Sequence, residues 1–429
     1  MSVETALDRT VRLCRYVVPD AAPAAIITAL TATTVTIVAD RANLASGACQ
    51  SAVVTLAQLV MQLGCSVRLV APAVTLRVRQ PPWRGDTLRA VLQDMAAESV
   101  PGAAFASMEA SDVSGEVFVF GDAPWPGAEG WRVGATRWVG AIHPLSEKVA
   151  RWTEDFPIGG LAAAALAAAE AFKRAMRTLG PTGPHLDELA PVHRATVALG
   201  DEATPAPSTL GRIDCVSGGA IVQAALHALM RVPALAANVR VIEPERFDLT
   251  NVNRYSLGRR SQVGVLKVDI LAGCAASPFV VTGDAARFDE ETAAALSPLA
   301  PCVIVGTDNV PSRWAVQNAR PEWLVVGATS EFMAIVSEHD GSGGCAGCAH
   351  PDDDGVHVEI PTVSFVSYWG GLMVAARVLR HAAGAVTNES AEIRLLFSLR
   401  QDSPDGEIRY TNVRSPRCPL KCSSERRTT

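Results

Sequence analysis

Lysine is scarce: of 38 basic side chains only Lys148, Lys173, Lys267 and Lys421 are Lys, and the rest are Arg. A Lys in a ligand-facing segment therefore stands out. An excess of positive charge is also missing. The formal net charge of −6 excludes a broad nucleic-acid or anionic-membrane surface and leaves room for a local cationic pocket that takes a small anion. No disulfide framework shows. Six of the ten cysteines (Cys14, Cys49, Cys65, Cys215, Cys274, Cys302) are scattered through apolar or helical contexts, where a small buried thiol is the default. The opening "MSVETALDRTVRLCRY" lacks a signal-peptide layout. The uncharged run Ala21–Ala39 holds Pro23 and five Thr and reads as a helix followed by a buried strand, not as a membrane span. A cytoplasmic location without membrane or nucleic-acid partners is expected.

What is present is ample apolar material, 48% of 429 residues, enough for two or three domains. It is organised as a repeat. "SGACQSAVVTLAQLVMQLGCSVRLVAP" (46–72) is answered by "SGGAIVQAALHALMRVPALAANVRVIEP" (217–244), each a Gly turn, an amphipathic helix and a strand. "VFVFGDAPWP" with "WRVGATRWVGAI" is answered by "CVIVGTDNVPSRW" with "WLVVGATSEFMAI", and "IGGLAAAALAAAEAFKRAMRTLG" by "WGGLMVAARVLRHAAG". Three blocks in one order, about 170 to 210 residues apart, predict a duplicated α/β unit with a doubly wound, mainly parallel sheet. The Pro-rich stretch from Pro181 to Gly211 divides the copies. The expected domains are 1–185 and 210–429, with a linker at 186–209.

The polar chemistry gathers in the second copy. In such sheets ligands bind beyond the carboxyl ends of the strands, and the first turn offers helix N-terminal amides to a phosphate. "RIDCV" followed by "SGGAIV" fits that turn, with Gly218 and Gly219 allowing close backbone approach, although a full G-x-G-x-x-G is lacking. Glu243 ends the next strand, where an acid can accept from a ribose hydroxyl; Ala71 holds the equivalent place in the first copy. In "VIEPERFDLTNVNRYSLGRR", Asn251 and Arg254 can donate to phosphate oxygens, and Lys267 can add a compact positive charge. Arg259 and Arg260 are expected to be solvated. The strand "PCVIVGTDN" runs out at Asp308, either as a carboxylate that holds Mg²⁺ beside a polyphosphate or as the cap of the following helix.

Cys345 and Cys348 form a C-x-x-C knuckle in "GGCAGCAH", and Cys418 and Cys422 a C-x-x-x-C in "RCPLKC". Two close pairs suit a tetrahedral structural Zn²⁺, with His350 or His357 as possible replacements for one ligand. A redox C-x-x-C is the alternative.

In this order the motifs resemble the ThiF/MoeB/HesA family, within the superfamily of ubiquitin-activating enzymes, over Leu210 to about Cys422 and more faintly over the first copy. The resemblance implies two Rossmann-like adenylation domains in tandem, one degenerate and one intact, forming a pseudo-dimer within a monomer or a higher oligomer. It implies Mg²⁺ and ATP held by Gly218, Gly219, Glu243, Asn251, Arg254, Lys267, Asp308 and Asn309, with Arg313 and Asn318 following, and Zn²⁺ held by the four cysteines. Homodimeric relatives reach ATP with an Arg from the partner's N-terminal helix; Arg9 in "LDRTVRL" holds the matching position. The sequence departs from the pattern at Val216, Ile221, Glu243 and Tyr255, and Pro361, Thr362 and Val363 occupy the segment where thioester-forming relatives carry a cysteine.

The reaction implied is ATP-dependent adenylation of the C-terminal carboxylate of a small protein or peptide, giving an acyl adenylate and pyrophosphate. A non-catalytic peptide-binding partner in a peptide-modification pathway is the second reading. A nicotinamide-dependent dehydrogenase is a third, and it leaves Arg254, Lys267 and Asp308 without a role.

Overall fold

The computed structural model describes residues 2–108, 115–180, 186–351, 360–385, 392–403 and 406–422. The chain opens with helices α1 (Val3–Val17) and α2 (Pro23–Ala32), so the uncharged run beginning at Ala21 is a helix followed by strand β1 (Thr34–Val38). Among the described residues no helix is long and apolar enough to cross a membrane.

Two sheets follow. The first comprises β1, β2 (Ser66–Val70), β3 (Phe105–Ser107), β4 (Glu116–Phe120), β5 (Trp131–Ala135), β6 (Val139–Pro144) and β7 (Ala195–Ala198) in the order β3-β2-β1-β4-β5-β6-β7. The second comprises β8 (Thr209–Val216), β9 (Ala236–Ile242), β10 (Phe279–Asp284), β11 (Cys302–Val305), β12 (Trp323–Ser330), β13 (Met333–His339), β14 (Glu392–Phe397) and β15 (Glu407–Thr411), ordered β10-β9-β8-β11-β12-β13-β14-β15. Five strands are parallel in each, and the remainder pair antiparallel from β6 and β13 onward. The β-branched runs "TVTIV" and "CVIV" are buried in the middle of these parallel sets, as strands covered on both faces require.

β7 corrects the expected linker. Four residues flanked by Pro and Gly carry little strand signal, yet they close the first sheet against β6 in an alternating buried and exposed pattern.

Between the sheets lie α3 (Gly47–Gln62) and α5 (Ile158–Arg177) from the first half, and α6 (Ala220–Leu229) and α11 (Ser364–Ala382) from the second. The other helices are α4 (Leu88–Glu98), α7 (Lys267–Cys274), α8 (Ala293–Leu296), α9 (Val310–Asn318) and α10 (Ala346–Ala349). Small residues set the spacing of this layer: a Cβ on Gly371 would lie 2.4 Å from the Ala224 Cβ and from the Ile221 carbonyl, so α11 can seat on α6 only with Gly there. One apolar core is continuous from the first half into the second. Phe172 of α5 meets Phe365 of α11 with ring centroids 5.4 Å apart, a pairing worth about 1 kcal/mol beyond burial.

Candidate functional site

A cleft of about 420 Å³ opens at the carboxyl ends of β8, β9, β11 and β12, where the strand order reverses between β8 and β11. β8 ends at Val216, and Ser217 turns the chain at φ 98°, a conformation that usually calls for Gly. The Glu243 side chain secures the turn: Gly218 N donates to its Oε2 at 2.7 Å and Glu245 N to its Oε1 at 3.0 Å. Gly218 therefore supports the turn and does not line the cleft, whereas Gly219 lines it and is the N-cap of α6 with no side-chain cap. Gly219 N donates to Ser217 Oγ at 2.9 Å, while the next amides of α6, at Ala220 and Ile221 in the cleft wall, have no side-chain cap, and amides so placed attract anions.

Five cationic residues line the same space: Arg9, Arg254, Lys267, Arg287 and Arg313. Asp248 and Asn251 form a reciprocal capping box, with Asp248 N donating to Asn251 Oδ1 at 2.9 Å. Asn251 is buried in this turn and is not among the residues lining the cleft; it shapes the segment that presents Arg254. Arg254 Nη1 donates to Asn253 Oδ1 at 2.8 Å, and Asn253 Nδ2 donates to Thr10 Oγ1 at 2.8 Å. This last bond fixes α1, and with it Arg9, against the second half. Tyr255 sits between two cations, with Arg254 Cζ 5.2 Å and Lys267 Nζ 5.3 Å from its ring centroid. Lys267 is buried and pairs with the exposed Glu245. Burial works to lower the pKa of its ammonium, but Tyr255, Glu243 and Glu245 together raise it, so Lys267 stays charged. Glu245 and Arg287 were not legible as cleft residues, because nothing in "EPER" or "DAARFDE" separates them from surface charge.

On the opposite wall, Asn309 caps α9 by accepting from Ser312 N at 3.0 Å. Asp308 does not make that cap; it is exposed and lines the cleft. Arg313 also lines the cleft but is largely buried against the loop, with Nε and Nη2 on the Thr307 carbonyl at 3.1 and 2.7 Å and Nη1 on His350 Nδ1 at 3.1 Å. Burial pushes the Arg313 guanidinium down to about 10, with Asp308 opposing the shift, so it remains a cation at neutral pH.

The expectation of solvated arginines is corrected at Arg259, while Arg260 stays partly exposed. Arg259 is buried, binding Asp94 of α4 at 2.7 and 2.8 Å and lying 3.4 Å from Glu98, while Arg260 donates to the Ala97 carbonyl. Their partners lie more than 160 positions earlier, beyond any local pattern. Gln58 and Gln62 of α3 brace the same loop through the Ser256 and Tyr255 carbonyls at 2.8 and 2.9 Å.

Cys345, Cys348, Cys418 and Cys422 come together with all four sulfurs within 4.8 Å of one another. Individual separations are 3.8, 3.3 and 3.3 Å, close to the edge of about 3.8 Å that a tetrahedral Zn–S₄ centre requires. Ser415 N donates to Cys348 Sγ at 3.3 Å, the kind of outer contact that orients a thiolate ligand. Four converging thiols favour a metal over a two-cysteine redox pair. His350 is engaged by Arg313, and His357 lies outside the described residues. No cysteine among the described residues lines the cleft. Cys274 is buried, with its thiol pushed up to about 11 by that burial, and Thr362, in the segment lacking a cysteine, shares a hydrogen bond of 2.9 Å with Ser367.

A family model described as the BilD N-terminal domain matches residues 34–184. The uncharacterized protein y4jF of Sinorhizobium fredii (strain NBRC 101917 / NGR234) is 27% identical over 231 residues, covering 52% of this chain and 43% of that protein; the match spans less than half of that relative's length. Among solved structures, E. coli MccB with AMPCPP and selenomethionine-labelled MccA is similar at a TM-score of 0.41 and 15% identity, over 49% of this chain and 66% of that one. Selenomethionine-labelled PaaA is similar at a TM-score of 0.38 and 14% identity, over 47% and 72%.

Proposed function

We propose that this chain is an ATP-dependent adenylyltransferase that activates the C-terminal carboxylate of a small protein or peptide, with one working nucleotide site in a tandem of ThiF-like units. The observation that carries the reading is the convergence of Arg9, Arg254, Lys267 and Asp308 on the uncapped start of α6 in one cleft. The corresponding groove of the first sheet supports it by contrast. There Ala71 follows β2 where Glu243 follows β9, and Arg89 stands near the start of α4 where Lys267 starts α7.

In this mechanism the substrate carboxylate attacks the α-phosphorus, a P–O bond to the β-phosphate breaks, and pyrophosphate leaves. No proton transfer is needed, because the nucleophile is already ionised. Arg9, Arg254 and Lys267 offset charge on the phosphate oxygens from preorganised positions. Asp308 would hold Mg²⁺, which would supply further charge neutralisation. Glu243 keeps its two backbone bonds and offers remaining lone pairs to a ribose.

A path for a polypeptide is present on the same face of the sheet. Ala328 lines the cleft; it pairs with Ile335, Ile335 with Leu395, and Leu395 with Ile408 at the edge. Directly paired residues share a sheet face, so this row leads from the exposed Ile408 to the cleft. An extended apolar chain laid along it would deliver its terminus to the phosphates.

The test is binding of Mg·ATP to the full chain, followed by ATP–pyrophosphate exchange with the small polypeptides encoded beside it. Partner-dependent exchange is expected. Polypeptide binding without nucleotide binding would leave the non-catalytic role, and nicotinamide binding would favour the dehydrogenase.

A further inference from the structure

The cysteine cluster and the cleft are joined by a short chain of buried contacts. α10 carries two of the four sulfurs, Cys345 at its N-cap and Cys348 inside it, and at four residues it is too short to hold itself. One side is tied to α9: Ala346 N donates to Gln317 Oε1 at 2.9 Å, and Trp314 Nε1 donates to the His350 carbonyl at 3.0 Å. The other side faces the tail that carries Cys418 and Cys422, where Ser415 N donates to Cys348 Sγ at 3.3 Å and Gly344 N, just before Cys345, to the Asn412 carbonyl at 2.8 Å. His350 ends α10, its N–H on the Ala346 carbonyl at 2.9 Å. Its ring Nδ1 receives Arg313 Nη1, and the remaining edge of that guanidinium grips the Thr307 carbonyl with two donors. Because the guanidinium is planar, fixing Nη1 fixes the plane in which Nε and Nη2 point. Asp308 is the next residue, and its neighbours are also held by Gly306 N on the Val216 carbonyl at 3.2 Å, Asn309 N on Thr307 Oγ1 at 3.1 Å and Ser312 N on Asn309 Oδ1 at 3.0 Å.

We infer that a metal bound to the four cysteines sets the position of the Asp308 loop, with His350 and Arg313 as the positioning residues that connect the two. The clasp that secures residues 418–422 is then also a support of the cleft, and loss of the metal loosens the carboxylate there before it unfolds the protein. The inference rests on the reading of the cysteines as a metal site and does not depend on adenylation.

Hydrogen exchange tests it without nucleotide or turnover. The full chain and His350→Ala are compared with metal bound and after chelation, following the amides of residues 306–309. Chelation is expected to speed their exchange about ten-fold or more in the unaltered protein, through local opening of the loop. His350→Ala should show the fast rate with metal still bound and no further change on chelation. His350→Asn, which keeps an acceptor near the Nδ1 position, should restore the slow, chelation-sensitive rate. If His350→Ala loses metal or fold, Arg313→Met cuts the same link from the other side and must show the same loss of coupling. Unchanged exchange at 306–309 on chelation, equal acceleration with and without His350, or folded protein that carries no metal would each overturn the inference.

Discussion

At the scale of single residues, Asp308 and Asn309 show how neighbours with similar chemistry divide their work. Either could cap α9; Asn309 does so, which leaves the Asp308 carboxylate in the cleft. Asp308→Asn is therefore expected to melt within about 0.5 kcal/mol of the unaltered protein, the usual range for an exposed substitution. Pyrophosphate exchange should fall by a hundred-fold or more, about 3 kcal/mol for a preorganised charge at a reacting phosphate. Unchanged exchange would remove Asp308 from the mechanism, and a clear loss of melting temperature would return it to a structural role. These residue types are legible from sequence because strand ends are where such sheets put polar side chains. The roles of Asn251 and Arg259 were hidden in it: the first is spent on a capping box, and the second on Asp94 in the other half.

At the scale of elements, the paired blocks of sequence correspond to paired structure, α3 with α6, β4 with β11, and α5 with α11, because apolar period and glycine turns are local signals. β7 carries no local signal, because its pairing with β6 is tertiary. The antiparallel strands beyond β12 carry the apolar row to the edge, where Ile408 and Tyr410 are 41% and 48% exposed. An uncovered edge strand with apolar side chains invites a partner. Ile408→Asp should raise the half-saturating concentration of the activated polypeptide about ten-fold, the effect of about 1.4 kcal/mol lost from one contact, and leave Mg·ATP binding unchanged. Equal effects on both ligands would show that β15 acts through the fold and not as a docking strand. On the cysteine side, elemental analysis should give about one zinc per chain, and Cys418→Ser should release it and lower stability, since binding of a structural metal is coupled to folding.

At the scale of the molecule, the two halves meet through hydrogen-bonded polar groups set inside the apolar helix layer. His227 of α6 bridges Gln58 of α3 at 3.2 Å and Tyr368 of α11 at 3.1 Å, and Arg231 reaches Gln80 and the Pro81 carbonyl at 2.9 and 3.0 Å. The first half is thereby locked in the orientation that brings α1 and Arg9 to the cleft. Acid should destabilise the fold through His227 in this layer and through His339 at the end of β13. Burial, reinforced by Arg231, holds the pKa of His227 well below its ordinary value, and burial holds His339 down to about 4. Unfolding exposes both rings to water, where each titrates near about 6.5. Between those values the unfolded chain binds protons that the folded chain does not, so the contribution is complete above about pH 6.5 and is lost as pH falls towards 4. For His339 alone the loss by pH 4 is on the order of 3 kcal/mol. Glu116 and Glu170, whose pKa values burial raises, oppose this trend by favouring the fold once they protonate. Thermal unfolding at half-unit steps from pH 7.5 to 4.5 should show a plateau above 6.5 and a decline below it, with His339→Gln removing part of the decline. A melting temperature that stays flat down to pH 5 would mean that these rings are hydrated in solution, and that the helix layer joining the halves is less tightly closed than the buried bonds of His227 and Arg231 require.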